Sequence, residues 1–264
     1  METVRSKDGT TIAYDRRGSG PPVVLVGGAL SDRRGATAVA EALAPRMTAI
    51  AFDRRGRGDS TDTAPYAVAR EVDDLAAVMN AAGATLVFGH SSGAVLSLRA
   101  AEAGLPIERL AVYEPPFILD DTRPALPADY DMHTDELIAA GRLGDAVEYF
   151  LRTGPMVPDA VIARTRESPA WAGLTAMGAT IGYDNRVMGD MMSGDPASLA
   201  RWASIAIPTL VLAGGASPPF MRNGAAALTA VLPDAAMQVL DGQTHGASPD
   251  MLAPVLLDFF LDRG

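Results

Sequence analysis

The segment VFGHSSGAV, residues 87–95, decides the fold of this chain. It contains the pattern Gly-x-Ser-x-Gly with Ser91 at its centre. The pattern alone is a weak signal, but here an apolar run precedes it and helical spacing follows it. A buried strand, a sharp turn and a helix in this order project the central serine above a sheet. The sequence therefore predicts a nucleophilic Ser91, with Ser92 opening the helix; the alternative is a tight turn without chemistry.

Similar apolar runs lie on both sides of this turn and lack the polar alternation of half-exposed strands. Such runs are typical of strands buried on both faces of a sheet, and the Asp8-Gly9 turn adds an N-terminal hairpin. The predicted strands are 2–6, 10–15, 23–26, 47–52, 84–88, 110–113, 209–212 and 237–240. The predicted helices are 35–45, 65–81, 92–103 and 249–262. This alternation predicts an α/β fold, with a mostly parallel sheet flanked by helices.

One interval breaks the alternation. Residues 116–206 separate two predicted strands, which is far more chain than a crossover helix needs. The interval has apolar residues at helical spacing and prolines at 155, 158 and 169. We therefore expect a helical cap over 116–206, inserted into one core that is formed by 1–115 and 207–264.

Composition narrows the class of protein. The chain has 264 residues, of which 48% are hydrophobic and 20% charged, with a formal net charge of −10 and no cysteine. An acidic protein repels the phosphates of nucleic acids and anionic membranes, and a chain without cysteine has no disulfides or thiolate-bound metals. The first residues, METVRSKDGTT, lack the apolar centre of a signal peptide, and no run predicts a membrane span. We expect a cytoplasmic protein that binds neither nucleic acid nor membrane; a homodimer remains open.

A serine hydroxyl needs an adjacent base to act as a nucleophile, and the chain has only three histidines. His90 lies inside the turn itself, and His133 falls in the insertion, where a solvated role is expected. His245 lies between the last predicted strand and the last helix. A loop there reaches the carboxyl edge of the sheet, where open α/β sheets place their sites. The sequence therefore predicts His245 as the base.

With these features the chain resembles the α/β-hydrolases over nearly all of its length. The resemblance rests on the hairpin, Val26-Gly27-Gly28-Ala29, the loop 53–60, the turn at Ser91, the insertion and His245. A His-Gly pair usually follows the first buried strand in that family, and here Gly27-Gly28 takes its place. The resemblance implies that the backbone N–H groups of Ala29 and Ser92 form an oxyanion hole. It also implies that the loop arginines at 54, 55 and 57 are mainly structural.

The acid of the site is less obvious. The family's commonest acid would follow the strand 209–212, but residues 213–219 contain no carboxylate. Glu114 ends the neighbouring strand, and glutamate-type haloalkane dehalogenases and fungal zearalenone lactonases are similar in placing their acid there. The alternative for Glu114 is a surface carboxylate without a role. Asp241 is the rival acid, although its Asp-Gly context is typical of a turn.

A serine nucleophile favours acyl transfer to water, whereas the dehalogenases and epoxide hydrolases of this fold use an aspartate. The resemblance thus implies a Ser91–His245–Glu114 triad that hydrolyses a carboxylic ester or lactone through an acyl-enzyme, without a metal or organic cofactor. One alternative is a non-hydrolytic lyase, cyclase or cofactor-free haloperoxidase of secondary metabolism. Another is a catalytically silent binding protein.

The cap is expected to roof a pocket for a small to medium, largely apolar substrate. Its aromatic and methionine side chains are the candidates for substrate contact, with packing of the cap on the core as the alternative for each. The candidate lining residues are Tyr130, Phe150, Trp171, Met177, Tyr183 and Met188, with Met191 and Met192 beside them.

Overall fold

The structure, a computed structural model, describes residues 1–262. Within that range eight strands form one sheet, in the order β1-β2-β4-β3-β5-β6-β7-β8. The strand β2 pairs antiparallel with β1 and β4, and the other neighbours are parallel. The strands are β1 (Glu2–Arg5), β2 (Thr11–Arg17), β3 (Pro22–Val26), β4 (Thr48–Phe52), β5 (Leu86–His90), β6 (Arg109–Tyr113), β7 (Thr209–Gly214) and β8 (Ala235–Leu240).

Helices cover both faces of this sheet. The helices are α1 (Thr37–Leu43), α2 (Val68–Ala82), α3 (Ser92–Glu102), α4 (Tyr130–Ala139), α5 (Leu143–Thr153), α6 (Asp159–Arg166), α7 (Ala170–Ala176), α8 (Ile181–Met188), α9 (Pro219–Val231) and α10 (Pro249–Leu261). Short 3-10 helices cover Arg33–Ala36, Gly178–Thr180, Gly189–Met192 and Pro196–Ser204. None of the helices within residues 1–262 is both long and apolar enough to cross a membrane.

The central strands are apolar on both sides because each side has its own core. Val24 and Val26 of β3 pack into a cluster with α2, α3 and α9. Val23 and Leu25 of the same strand face the opposite cluster, which contains α1 and α10. Successive side chains of a strand point to opposite faces, so a continuous apolar run is what two buried faces require. The predicted α/β fold is confirmed.

Between β6 and β7 the chain is helical, as expected. Helices α4 to α8 lie there, and Leu137, Val147 and Ile181 form a small core of their own. Helix α8 also contacts α3, which begins immediately after Ser91. The division into a core and a cap over 116–206 stays a prediction. The predicted core segment 207–264 includes residues 263 and 264, which lie outside the described residues.

Two elements differ from the sequence prediction. The helix expected over 35–45 is instead a 3-10 turn, which Asp32 caps by accepting from the amide of Arg34, followed by the shorter α1. Helix α9 is an addition to the predicted helices, and it fills the interval between the last two strands of the parallel sheet.

Candidate active site

The turn at Ser91 has the strained geometry that the sequence predicts. Ser91 joins β5 to α3 with φ +57° and ψ −128°, a conformation that non-glycine residues rarely adopt. A Cβ on Gly93 would lie 2.3 Å from the carbonyl oxygen of Val26, and one on Gly89 would lie 2.6 Å from the Cα of Ala94. Glycine is therefore required on both sides of the serine because backbone atoms crowd the turn.

The Ser91 side chain faces open space. Within residues 1–262 its hydroxyl has no hydrogen-bond partner, and it lines a cavity together with His245. The backbone of the loop after β3 closes on the same side. A Cβ on Gly28 would lie 2.8 Å from the Cβ of Ser91. This close approach gives a physical reason for glycine at position 28, directly before Ala29.

Glu114 and His245 form a pair at the carboxyl edge of the sheet. The Nδ1 of His245 lies 2.9 Å from Oε2 of Glu114, and the other carboxylate oxygen accepts a 2.7 Å hydrogen bond from the amide of Gly214. A carboxylate only accepts, so Nδ1 carries the proton and Nε2 is left as the basic nitrogen of the neutral ring. The Glu114 side chain is fully buried, whereas 39% of the His245 side chain is exposed.

The environment of Glu114 keeps it ionised. Burial raises the pKa of this carboxyl, but its neighbours His245, Ser217 and Gly214 lower it by more, so the pKa lies below its ordinary value. Asp241, the rival acid, is exposed in the turn after β8. Within the described chain it forms no hydrogen bond or ion pair with His245. The structure thus brings Glu114, and not Asp241, to the imidazole.

The other two histidines lie outside this pair, each in a different setting. His90 donates from Nε2 to the main-chain carbonyl of His245 over 2.8 Å, and burial together with the nearby His245 ring lowers the pKa of His90 to about 4. Tyr113 supports the same loop by donating to the carbonyl of Thr244 over 2.5 Å. His133 lies on α4 with its ring edge against Tyr149. His90 therefore supports the His245 loop, and His133 is not among the residues that line the cavity.

The cavity above Ser91 has a volume of about 270 Å³ and is predominantly apolar. Ala29 and Ser92, the predicted oxyanion-hole residues, line it. Of the predicted substrate contacts, Tyr130, Phe150 and Met188 line it as well, and so does Met192. These side chains come from α4, α5, α8 and the 3-10 turn that follows α8.

The other predicted contacts do not line this cavity. Tyr183 stacks on the ring of Tyr66 at 3.9 Å. Trp171 packs in the small helical core beneath the guanidinium of Arg166. Met177 does not line the cavity, and Met191 is fully buried in the main core. On short helices, sequence spacing does not tell an inward face from a face packed on a neighbouring helix.

Several lining residues lie outside the predicted set. Phe220 and Met221 line the cavity from the start of α9, and Arg123 and Leu126 line it from the segment before α4. Arg123 lies over the ring of Phe220 and donates to the carbonyl of Gly154 over 2.7 Å. The apolar pair after Pro218-Pro219, at the carboxyl end of β7, is the sequence signal that could have found Phe220 and Met221.

Within residues 1–262, no cluster of three or more His, Cys, Asp or Glu side chains is arranged to hold a metal ion.

Fold and site together define a member of the α/β-hydrolase family, and the comparisons agree: the model of that family matches residues 23–255. The solved structure of an α/β hydrolase from Sphaerobacter thermophilus DSM 20745 is 55% identical, covers 98% of this chain and 100% of its own, and has a TM-score of 0.91. The chain therefore belongs to the α/β-hydrolase family, and the predicted resemblance is confirmed.

More distant structures share the fold. An esterase from Exiguobacterium antarcticum is 18% identical over 98% of this chain and 99% of its own, with a TM-score of 0.72. A bromoperoxidase from Bacillus anthracis is 20% identical over 99% of this chain and 100% of its own, with a TM-score of 0.69. At these identities the likeness concerns the fold alone. No curated protein sequence matches the chain.

Proposed function

We propose that the protein is a serine hydrolase that cleaves a carboxylic ester or lactone through an acyl-enzyme. The observation that carries this proposal is the 2.9 Å pairing of Glu114 with Nδ1 of His245, in a ring that lines the same cavity as Ser91. A base oriented by a buried carboxylate beside a serine on a strained turn is the arrangement that acyl transfer uses.

In the first step Ser91 Oγ attacks the carbonyl carbon of the substrate, and its proton passes to Nε2 of His245. The imidazolium that forms is stabilised by Glu114, which is ionised and fully buried. The negative charge moves to the carbonyl oxygen of the substrate. The backbone N–H groups of Ala29 and Ser92 stabilise it there.

The tetrahedral intermediate then collapses. The bond from carbon to the leaving oxygen breaks, His245 gives its proton to that oxygen, and Ser91 carries the acyl group. With a lactone, the leaving hydroxyl stays attached to the acyl chain. A water molecule next gives a proton to Nε2 of His245 and attacks the acyl carbon. The bond from that carbon to Ser91 Oγ then breaks, His245 returns the proton to Oγ, and a carboxylic acid is released.

The cavity supports a small, apolar acyl group. Its volume of about 270 Å³ lies just below the range of about 300–1,000 Å³ that is typical of small-molecule sites. Leu126, Phe150 and Met188 contribute apolar walls. Of the charged groups that also line it, Arg123 and Asp184 are bonded to other parts of the protein, whereas the Asp131 carboxylate forms no hydrogen bond or ion pair within residues 1–262.

The test is to label the protein with a fluorophosphonate, map the adduct by mass spectrometry, and assay p-nitrophenyl esters and small lactones. An adduct on Ser91, with hydrolysis lost in Ser91→Ala, supports the proposal. Ser198→Ala is the control, because Ser198 lies on the 3-10 helix before β7 and away from the cavity lining.

Two results contradict the proposal. A protein that is not labelled at Ser91 and whose Ser91→Ala variant keeps full activity does not use this nucleophile. Labelling at Ser91 without turnover of any ester or lactone instead favours a non-hydrolytic enzyme or a binding protein on the same scaffold.

A further inference from the structure

Four charged side chains are buried side by side beneath the turn at Ser91. Arg54 and Glu71 are 1% and 0% exposed, and Arg57 and Asp184 are 0% and 3% exposed. Two positive and two negative charges balance, so the cluster is neutral as a whole. Buried ion pairs of this kind contribute little to stability compared with apolar residues of the same size.

Arg57 bonds to the peptide that carries one predicted oxyanion donor. Its Nη1 donates to the carbonyl oxygen of Gly28 over 2.6 Å, and its Nη2 donates to Oδ2 of Asp184 over 2.7 Å. In a planar trans peptide the C=O and the following N–H point in opposite directions. A hydrogen bond that fixes the carbonyl of Gly28 therefore also fixes the direction of the Ala29 N–H.

Asp184 connects the same arginine to the second predicted donor. Its Oδ1 accepts from the Ser92 hydroxyl over 2.7 Å and from Nη1 of Arg54 over 2.7 Å. Ser92 begins α3, and its N–H is the other predicted oxyanion donor. Asp184 itself belongs to α8 in the helical segment between β6 and β7. One carboxylate from that segment thus holds both donor segments of the core.

We propose that Arg57 and Asp184 are positioning residues that set the geometry of the oxyanion hole. They fix the separation and direction of the Ala29 and Ser92 N–H groups before substrate binds, and oriented donors are what stabilise a developing oxyanion. The charged donor on the Gly28 carbonyl also polarises that peptide and strengthens its N–H as a donor. This proposal rests on the proposed function, since an oxyanion forms only if an acyl carbonyl is attacked.

The structure offers matched controls for a test. Arg55 is a buried arginine that pairs with Asp74 through bonds of 2.6 and 2.7 Å, and neither side chain lines the cavity. Arg57→Lys and Asp184→Asn are therefore compared with Arg55→Lys and Asp74→Asn. The two arginine variants make the same chemical change, as do the two aspartate variants. In each case one change is in the ion pair beside the site and the other is in an ion pair away from it.

The kinetic readout separates positioning from stability. With a p-nitrophenyl ester, we expect Arg57→Lys and Asp184→Asn to lower kcat about 10- to 100-fold, because displaced donors stabilise the oxyanion poorly. KM should change little. The affinity for an alkyl trifluoromethyl ketone, which forms a tetrahedral adduct with the serine, should fall in parallel with kcat. The two control variants should keep kcat even if their melting temperatures fall as much.

A spectroscopic readout tests the positioning without turnover. The amide resonance of Ala29 should shift in Arg57→Lys and stay in place in Arg55→Lys. The proposal is overturned if a folded Arg57→Lys protein keeps both the Ala29 resonance and kcat unchanged. It is also overturned if Arg55→Lys and Asp74→Asn lose as much kcat as Arg57→Lys and Asp184→Asn. If the wild-type protein hydrolyses no ester, the proposed function fails, and the Ala29 resonance still decides whether Arg57 orients that peptide.

Discussion

Glu114 at the end of β6 accepts a 2.7 Å hydrogen bond from the amide of Gly214 at the end of β7. The strand β7 is where the commonest acid of the family would follow, and its loop carries no carboxylate. The neighbouring strand β6 leads into the carboxylate, and the last residue of β7 supplies the backbone donor that holds it. Glu114 reaches this position with φ +46°, a conformation that its contacts with Gly214 and His245 maintain.

Replacement of this carboxylate tests the proposed triad. We expect Glu114→Gln to lower kcat by about 10³- to 10⁴-fold, because an amide that donates to Nδ1 imposes the wrong tautomer on His245 and leaves the imidazolium unpaired. Steady-state hydrolysis of a p-nitrophenyl ester measures this. Asp241→Asn changes an exposed carboxylate in the turn after β8 and should keep kcat within about twofold. A large loss in Asp241→Asn with none in Glu114→Gln would reverse the assignment.

The crowding at the turn predicts a difference between two glycines. A Cβ on Gly93 would lie 2.3 Å from the carbonyl oxygen of Val26, so Gly93→Ala should lower the free energy of unfolding by about 1–3 kcal/mol or more. Gly173 lies inside α7, and a Cβ added there would meet nothing within 4 Å, so Gly173→Ala should raise it by about 0.5–1 kcal/mol. Urea denaturation measures both. Equal effects in the two variants would contradict this account of the turn.

Two methionines of the helical segment test which side chains form the cavity. Met188 lines the cavity, whereas Met177 does not. Met188→Ala should enlarge the cavity and shift the preference among p-nitrophenyl esters towards longer acyl chains, while Met177→Ala should leave the preference unchanged. The ratio of kcat/KM between short and long esters is the measurement. The same ratio in both variants would mean that the acyl group binds elsewhere.

The parts of this structure that could be predicted from sequence are those with local signals. The apolar runs at β3, β4 and β5 predict a buried parallel sheet, since each strand must satisfy two cores. The small residues around Ser91 predict the turn, because backbone crowding excludes side chains there. The position of His245 near this turn could also be predicted, because the loops after parallel strands meet at one edge of the sheet.

The remaining features depend on contacts between distant residues. Arg57 and Asp184 are 127 positions apart in the chain, and no local pattern connects them. Trp171 and Phe150 are both aromatic residues on short helices, yet only Phe150 lines the cavity. Which face of such a helix turns inward is set by how the helices pack on one another. The sequence therefore indicates the chemistry of the site better than its shape.

The pH dependence of stability gives a last prediction, through His90. Burial and the adjacent His245 lower the pKa of His90 from 6.5 to about 4 in the folded protein. Between these two values the unfolded chain binds a proton that the folded protein does not, so the free energy of unfolding falls as the pH falls. The loss begins near pH 6.5, is complete near pH 4, and amounts to up to about 3 kcal/mol.

Urea denaturation between pH 7 and pH 4 measures this loss, and the variants His90→Gln and His133→Gln identify its source. Glutamine keeps a donor that can reach the main-chain carbonyl of His245 but takes up no proton, so His90→Gln should lose this part of the pH slope. His133→Gln, which replaces a partly exposed histidine on α4, is the matched control. If the slope of His90→Gln instead equals that of the wild-type protein, the folded protein does not hold His90 neutral and His90 is not the source of the loss.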